Sequence, residues 1–317
     1  MSFLNQKFVK SLTQLSDELL VQDTRLSRTI ELVHDARCTL GEAPRYVARE
    51  HALYWVDIPE AALWRLDLAS GVARRRVFAE SVVTLAARRS GGLLLAMASG
   101  FALLDHFEAT PVAFGPRIDP DRPDNRLNDG RCDAEGRFFI GSMNKKKTAA
   151  DGGLFRLDPD GSVDCLWRGA LTANGIAFSP DGAAIFLSDT PQHATFRAPY
   201  DPSTGAIGAF APFAQFPLGK GRPDGGSVDQ AGDYWAGLYD GGRVVRLSPQ
   251  GALLEEIPIP ARHVTMIAFG GRDWRTAYVT TARQATTDEE LSRFPHAGGV
   301  FAFEVDMPGL PEPLFAG

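Results

Sequence analysis

The chain has 317 residues, 44 % of them hydrophobic and 23 % charged, and carries a net charge of −6. This acidic and otherwise ordinary composition argues against a nucleic-acid or anionic-membrane partner, and no run approaches the ~18 apolar residues a membrane helix needs. Cys38, Cys132 and Cys165 are odd in number and have no CxxC spacing, so no disulfide framework is expected and a reducing, cytoplasmic setting is the simpler reading.

At the N-terminus, Phe8, Leu12, Leu15 and Leu19 recur at helical spacing, which predicts an amphipathic helix in an extension over residues 1–30. Polar and acidic residues interrupt the segment, so it is not a secretion signal. Its apolar stripe fits a helix packed on the body of the protein, or a homodimer contact.

Beyond residue 30 the helical period is lost, and short apolar runs alternate with Gly, Pro and Asp turns. A strand with a bulky or aromatic centre recurs at Trp55, Leu94, Phe139, Phe186, Trp235 and Tyr278, in steps of 39, 45, 47, 49 and 43 residues. A second strand follows each, as in "ALWRLD", "GLFRLD" and "RVVRLS". Six strand-like copies with a period in the forties predict an all-β fold, a six-bladed β-propeller over residues 31–317 that closes on itself behind the helical extension.

Ahead of several aromatic strands stands a polar residue beside a glycine: Asn128-Asp129-Gly130, Asn174-Gly175 and Asp224-Gly225, with Glu42 following Gly41 in the first copy. The glycine spacing reads Asp129, Asn174 and Asp224 as equivalent starts of the strands that line the central channel. Any one of them alone is ordinary turn chemistry, but no turn asks for Glu42. Convergence of Glu42, Asn174 and Asp224 would bring together two carboxylates and an amide oxygen. Such hard donors suit Ca²⁺, Mg²⁺ or Mn²⁺, and three ligands leave positions open for water and substrate. Two carboxylates meeting without a cation would repel, and one would stay protonated.

The stretches "LGEAPRY", "RLNDGRCDAEGRFFIGSM", "NGIAFSPDG", "RPDGGSVDQAGDYWAGLYDGGRVVRLSPQG" and "HAGGVFAFEV" resemble, in order and spacing, the senescence marker protein 30/gluconolactonase (regucalcin-like) family of sugar lactonases. The resemblance spans residues 31–317. It implies a six-bladed propeller with one divalent metal ion at the channel mouth (Ca²⁺, Zn²⁺, Mn²⁺, Mg²⁺ or Fe²⁺), held by Glu42, Asn174 and Asp224. It also implies Arg126 and Asn128 as contacts to a small-molecule sugar lactone.

The expected reaction is metal-assisted lactone hydrolysis, with Asp224 accepting the proton of the attacking water, Arg126 fixing the lactone oxygens with its planar fork and Asn128 binding sugar hydroxyls. No GxSxG is present for a serine nucleophile. The bland alternative for Arg126 is an ion pair with Asp124 or Asp129. A phosphotriesterase or arylesterase on the same scaffold, and a non-catalytic metal-binding propeller, are the competing functions.

Where relatives often carry acidic residues after the Gly-Ser/Thr-Met motif, this chain has Asn144-Lys145-Lys146-Lys147, either a solvated loop or an electropositive lip. No histidine pair has zinc-motif spacing. Five of the histidines read as surface or loop residues, while His263 stands before the sixth inner strand, where a satisfied structural role is the first reading and a place facing the channel the second. Cys132 reads as core.

Overall fold

Each aromatic repeat forms the second strand of an antiparallel blade, four-stranded in five blades and five-stranded in the fourth, and each is buried along nearly all its length because blades stack on both of its faces. The computed structural model describes residues 28–317. The innermost strands are Gly41–Val47, Val82–Ala87, Asn125–Cys132, Ala173–Phe178, Arg222–Val228 and His263–Gly270. Each sits at one edge of its sheet and packs on the next around the ring, with the sixth returning to the first. Burial falls outward. In blade one the second strand, Ala52–Asp57, is wholly buried, whereas the outermost, Ala73–Val77, reads Ala-Arg-Arg-Arg-Val and is largely exposed. The six blades thus match the all-β reading.

Short turns set the register. In blade three, Asp133 Oδ1 accepts the Arg137 N–H at 2.8 Å and Gly136 takes a left-handed φ of 89°. Asp229 does the same for the Asp233 N–H at 3.0 Å in blade five. A carboxylate that closes its own turn explains why Asp and Gly punctuate these repeats.

Two chain ends fasten the ring. Glu31–His34 pairs with Val300–Glu304 as the outermost strand of blade six, so the start of the repeat region completes the last blade. His34 there is partly buried against Trp55 and Trp64, with ring centroids 5.7 and 5.5 Å away, rather than lying in a surface loop. The C-terminal segment crosses the face opposite the strand starts. Leu310 N–H reaches Val228 O, Phe315 N–H reaches Ala87 O and Ala316 N–H reaches Gly136 O, tying blades five, two and three together.

The helix expected over Phe8–Leu19 lies outside the described residues. Among those residues the one α-helix is Asp288–Arg293, with a Thr287/Glu290 capping box. None of the described helices is long and apolar enough to cross a membrane. Cys38 and Cys132 are buried and Cys165 is exposed, all as free thiols.

The channel is filled with charge. Arg45 (2 % exposed) and Arg131 (7 % exposed) reach in from blades one and three. Glu312, on the C-terminal segment, closes on both, with Oε1 3.3 Å from Arg45 Nε and Oε2 accepting from Arg131 Nη1 at 2.7 Å. Removing one partner of a buried ionic cluster leaves the others desolvated and unpaired, which costs roughly 3–5 kcal/mol. Glu312→Ala is therefore expected to lower the urea midpoint by an amount equivalent to about 3 kcal/mol, and Glu312→Gln, which keeps an acceptor, by clearly less. A loss below about 1 kcal/mol in the alanine variant would show that the tail is not needed to hold the channel floor.

Candidate functional site

The opposite end of the channel, at the N-terminal ends of the innermost strands, holds a pocket of about 110 Å³. Glu42, Arg126, Asn128, Asn174 and Asp224 all line it. The five residues singled out in the sequence therefore meet in one place, contributed by blades one, three, four and five.

A bulge in every innermost strand makes this possible. In each blade one extra residue is inserted against the second strand, for example between Glu42 and Arg45 opposite Val56 and Tyr54, and between Asn174 and Ala177 opposite Ser188 and Phe186. The same break lies between Leu127 and Gly130 and between Pro223 and Gly226. Bulges re-aim side chains out of the ladder.

This register corrects the equivalence drawn from glycine spacing. Glu42 and Asn174 share one slot, the last paired residue before the bulge. Asp224 and Asn128 share the next slot, inside the bulge. Asp129 lies one residue further on and faces deeper into the channel, where its Oδ2 accepts the Ile176 N–H at 3.0 Å and its Oδ1 lies 4.0 Å from Arg45. Counting from glycines failed because the extra residue is accommodated differently in different blades. In blades one and four the residue after the slot, Ala43 or Gly175, is left-handed, with φ of 51° and 59°. At Gly175 a Cβ would stand 2.3 Å from the Tyr234 hydroxyl, so only glycine fits. Ala43 holds the same conformation with a side chain, at a cost of about 1–2 kcal/mol.

Two carboxylates that sequence reasoning missed hold the approach segments in place. Asp57 accepts the Thr39 and Leu40 N–H groups at 2.9 and 3.0 Å, just ahead of Glu42. Asp189 accepts those of Leu171 and Thr172 at 3.0 and 3.1 Å, just ahead of Asn174. Both end a second strand, and their repetition at that position is the signal that would have revealed them.

A one-way chain of hydrogen bonds crosses three blades. Arg126 Nη1 donates to Asn128 Oδ1 at 2.8 Å, Asn128 Nδ2 to Asn174 Oδ1 at 2.7 Å, and Asn174 Nδ2 to Asp224 Oδ1 at 2.5 Å. Asn174 Nδ2 also reaches Thr190 Oγ1 at 2.9 Å. Arg126 does not pair with Asp124 or Asp129: Asp124 is taken by Lys146 at 2.9 Å and Asp129 faces Arg45. Its Nη1 also donates to Leu127 O at 2.8 Å, which leaves Nε and Nη2 without a protein acceptor among the described residues. His263 does not enter the pocket. It is buried behind the wall, stacked on Tyr239 with ring centroids 4.4 Å apart.

Burial, and after it the charges of Asp224 and Asp129, hold the Glu42 carboxyl well above the usual carboxylate range. Burial and the Asp129 charge push Asp224 up in the same way. Desolvation lowers the Arg126 guanidinium to about 10, which still leaves it charged at neutral pH. Two neighbouring carboxyls held above their usual range, beside an amide, are chemically suited to an oxygen-seeking divalent cation. Two features qualify that fit. Among the described residues no three His, Cys, Asp or Glu side chains group around one point, so the third donor is the neutral Asn174. That amide turns its N–H to Asp224, and a half-turn would offer its oxygen instead.

Comparison with known proteins gives a consistent result. Residues 40–283 match the model of the SMP-30/gluconolactonase/LRE-like region. A 6-deoxy-6-sulfogluconolactonase of Pseudomonas putida is 40 % identical, covering 92 % of this chain and all of its own length. An L-arabinolactonase of Azospirillum brasilense is 35 % identical, covering 90 % and 95 %. A crystal structure of a calcium-binding protein, regucalcin, from Agrobacterium tumefaciens superposes with a TM-score of 0.87 at 28 % identity, covering 92 % and 98 %.

The raised carboxyls set a stability prediction. A carboxyl whose folded pKa lies above its unfolded value destabilises the fold progressively as pH rises from about 4 towards that folded value. In chelator-treated protein, Asp224→Asn should therefore raise Tm at pH 8 by at least about 2 °C, roughly 1 kcal/mol or more for a chain of this size, and change it little at pH 5. Thermal unfolding at the two pH values checks this, and an equal loss at both would contradict the electrostatic account.

Proposed function

We propose that this chain, which belongs to the SMP-30/gluconolactonase/LRE-like family, hydrolyses a sugar lactone to the sugar acid at the channel mouth. The observation that carries the proposal is the single pocket joining Glu42, Asn174 and Asp224 to Arg126 and Asn128. Glu42, Asp224 and Asn174, through its amide oxygen, would hold a divalent cation. When bound, that cation would supply Lewis-acid polarisation of the lactone carbonyl and a water of lowered pKa.

The protein's own groups do the rest. Asp224 accepts a proton from the attacking water as the new C–O bond forms at the carbonyl carbon. Breaking the ring C–O bond then frees an alkoxide, and the same proton, returned by Asp224, neutralises it. Water is consumed, and one carboxylic acid and one hydroxyl are formed. Arg126, with unused N–H groups facing the pocket, donates to the carbonyl or ring oxygen where negative charge develops. Asn128 fixes the Arg126 fork through its Oδ1, and a sugar hydroxyl can share that acceptor.

Activity is expected to fall on chelation and return with added cation. Glu42→Ala, Asn174→Ala and Asp224→Ala should each weaken cation binding and turnover together, with the blades intact. The test is a panel of aldonolactones, an aryl ester and a phosphotriester, assayed alongside cation titration. Preferential turnover of the ester or phosphotriester would reassign the chemistry, and full lactonase activity in chelated alanine variants would remove the cation from it.

Arg126→Ala should cost on the order of 10²-fold in turnover at near-native cation affinity. Arg126→Lys should also be impaired, since a point charge cannot reproduce the fork. Lactone kinetics with parallel cation titration separate these effects, and unimpaired turnover in both variants would reject the substrate contact.

Because protons compete with a cation for raised carboxylates, cation affinity should rise from pH 6 to pH 8. Isothermal titration across that range measures it, and a flat profile would argue against carboxylate ligation.

A further inference from the structure

The lysine run after Met143 does not behave as one solvated loop. Asn144 Oδ1 accepts the Lys146 N–H at 3.1 Å, Lys147 N–H returns to Asn144 O at 3.0 Å, and Lys145 N–H is tied to Asp124 O at 2.8 Å. Lys146 then turns outward to Asp124, 2.9 Å away. Lys147 lines the pocket that holds Glu42 and Asp224. Its φ of 55° is left-handed, which a side-chain-bearing residue adopts at a cost. Strain held by surrounding bonds at a cavity wall is common where a side chain has a task there.

Arg222 lines the same pocket from blade five. It stands two residues before Asp224 on one strand, so it lies about 7 Å nearer the rim at ~3.3 Å per residue. Its guanidinium is braced over the Tyr239 ring at 4.9 Å and by Asp240 at 2.9 Å. Asp240 is shared with Arg262, 3.1 Å away. Among the described residues Lys147 has no carboxylate within ion-pair distance. If Glu42 and Asp224 are committed to a cation, the mouth carries more positive side chains than negative ones.

We infer that Lys147 and Arg222 form a rim subsite for an anionic substituent on the substrate, at the end remote from the lactone carbonyl. The substrate class is then acidic sugar lactones bearing a sulfonate, phosphate or carboxylate, in preference to neutral ones. This rests on the lactonase reading above. The competing role for Lys147 is only to temper the field at Asp224, which would affect neutral and acidic lactones alike.

The test measures kcat/KM for D-gluconolactone and for its 6-sulfonated, 6-phosphorylated and 6-carboxylate counterparts, using cation-loaded wild type, Lys147→Ala, Lys147→Glu, Lys147→Arg and Arg222→Gln. Wild type should favour at least one acidic lactone over the neutral one by about tenfold or more, and the preferred arm identifies the anion. The acidic-to-neutral ratio should fall roughly tenfold in Lys147→Ala, fall further in Lys147→Glu, fall in Arg222→Gln and largely survive in Lys147→Arg. A wild-type ratio near one in every arm, or a ratio unmoved by Lys147→Glu, overturns the subsite while leaving lactone hydrolysis standing.

Calorimetric binding of gluconate and 6-phosphogluconate gives a readout apart from turnover. Tighter binding of the phosphorylated acid that Lys147→Glu abolishes, with no lactone hydrolysed, would uphold the subsite and reject the lactonase reading. Equal binding of both acids, with no lactone hydrolysed, would overturn both.

Discussion

Six innermost strands meet around one axis and bury the polar side chains they turn inward, and the arginines among them find partners on other blades. Arg45 reaches Gly130 O at 2.6 Å, and Arg131 reaches Ile176 O and Gly226 O at 3.0 and 2.9 Å, so guanidiniums from blades one and three satisfy carbonyls of blades three, four and five. Glu312 completes the charge balance from below. Desolvated arginines of this kind are costly unless fully bonded, which ties the C-terminal segment, the ring closure and the channel floor into one unit. The mouth is built on that floor: Asp129 lies between Arg45 and the Glu42/Asp224 pair, and its charge acts on both.

The bulges convert this scaffold into a site. A regular strand alternates its side chains between faces, so without an inserted residue an inner strand could not aim its polar residue at the mouth and keep the following ladder in register. Two solutions coexist. Blades one and four spend a left-handed residue to present Glu42 and Asn174 from the paired slot. Blades three and five present Asn128 and Asp224 from within the bulge. Because these strands come from blades on different sides of the ring, their side chains converge instead of stacking along one edge.

The mouth is held in a conformation that opposes stability. Two carboxylates share a confined pocket, Ala43 and Lys147 take backbone angles that disfavour a Cβ, and Arg126 is half-buried with part of its fork unused. Such costs persist when the surrounding structure over-determines them. Here the clamps Asp57 and Asp189 and the Arg126–Asn128–Asn174–Asp224 chain supply that constraint.

The sequence by itself determined the class of fold and singled out residues that meet at the channel mouth. Repeats centred on Trp55, Phe139 and Trp235 required blades because a strand apolar on both faces must be covered on both. Glu42, Asn174 and Asp224 were conspicuous because oxygen donors recurred at strand starts where a turn had no use for Glu. Tertiary structure alone decided which slots were equivalent, since a bulge inserts a residue that glycine spacing cannot register. It separated Asp129 from Asp224, split Lys146 from Lys147, and moved His263 behind Tyr239. It also recruited Glu31–His34 to blade six and Glu312 to the channel, because a closed ring and a buried charge can be completed by any segment that reaches them, and distance along the chain carries no record of which one does.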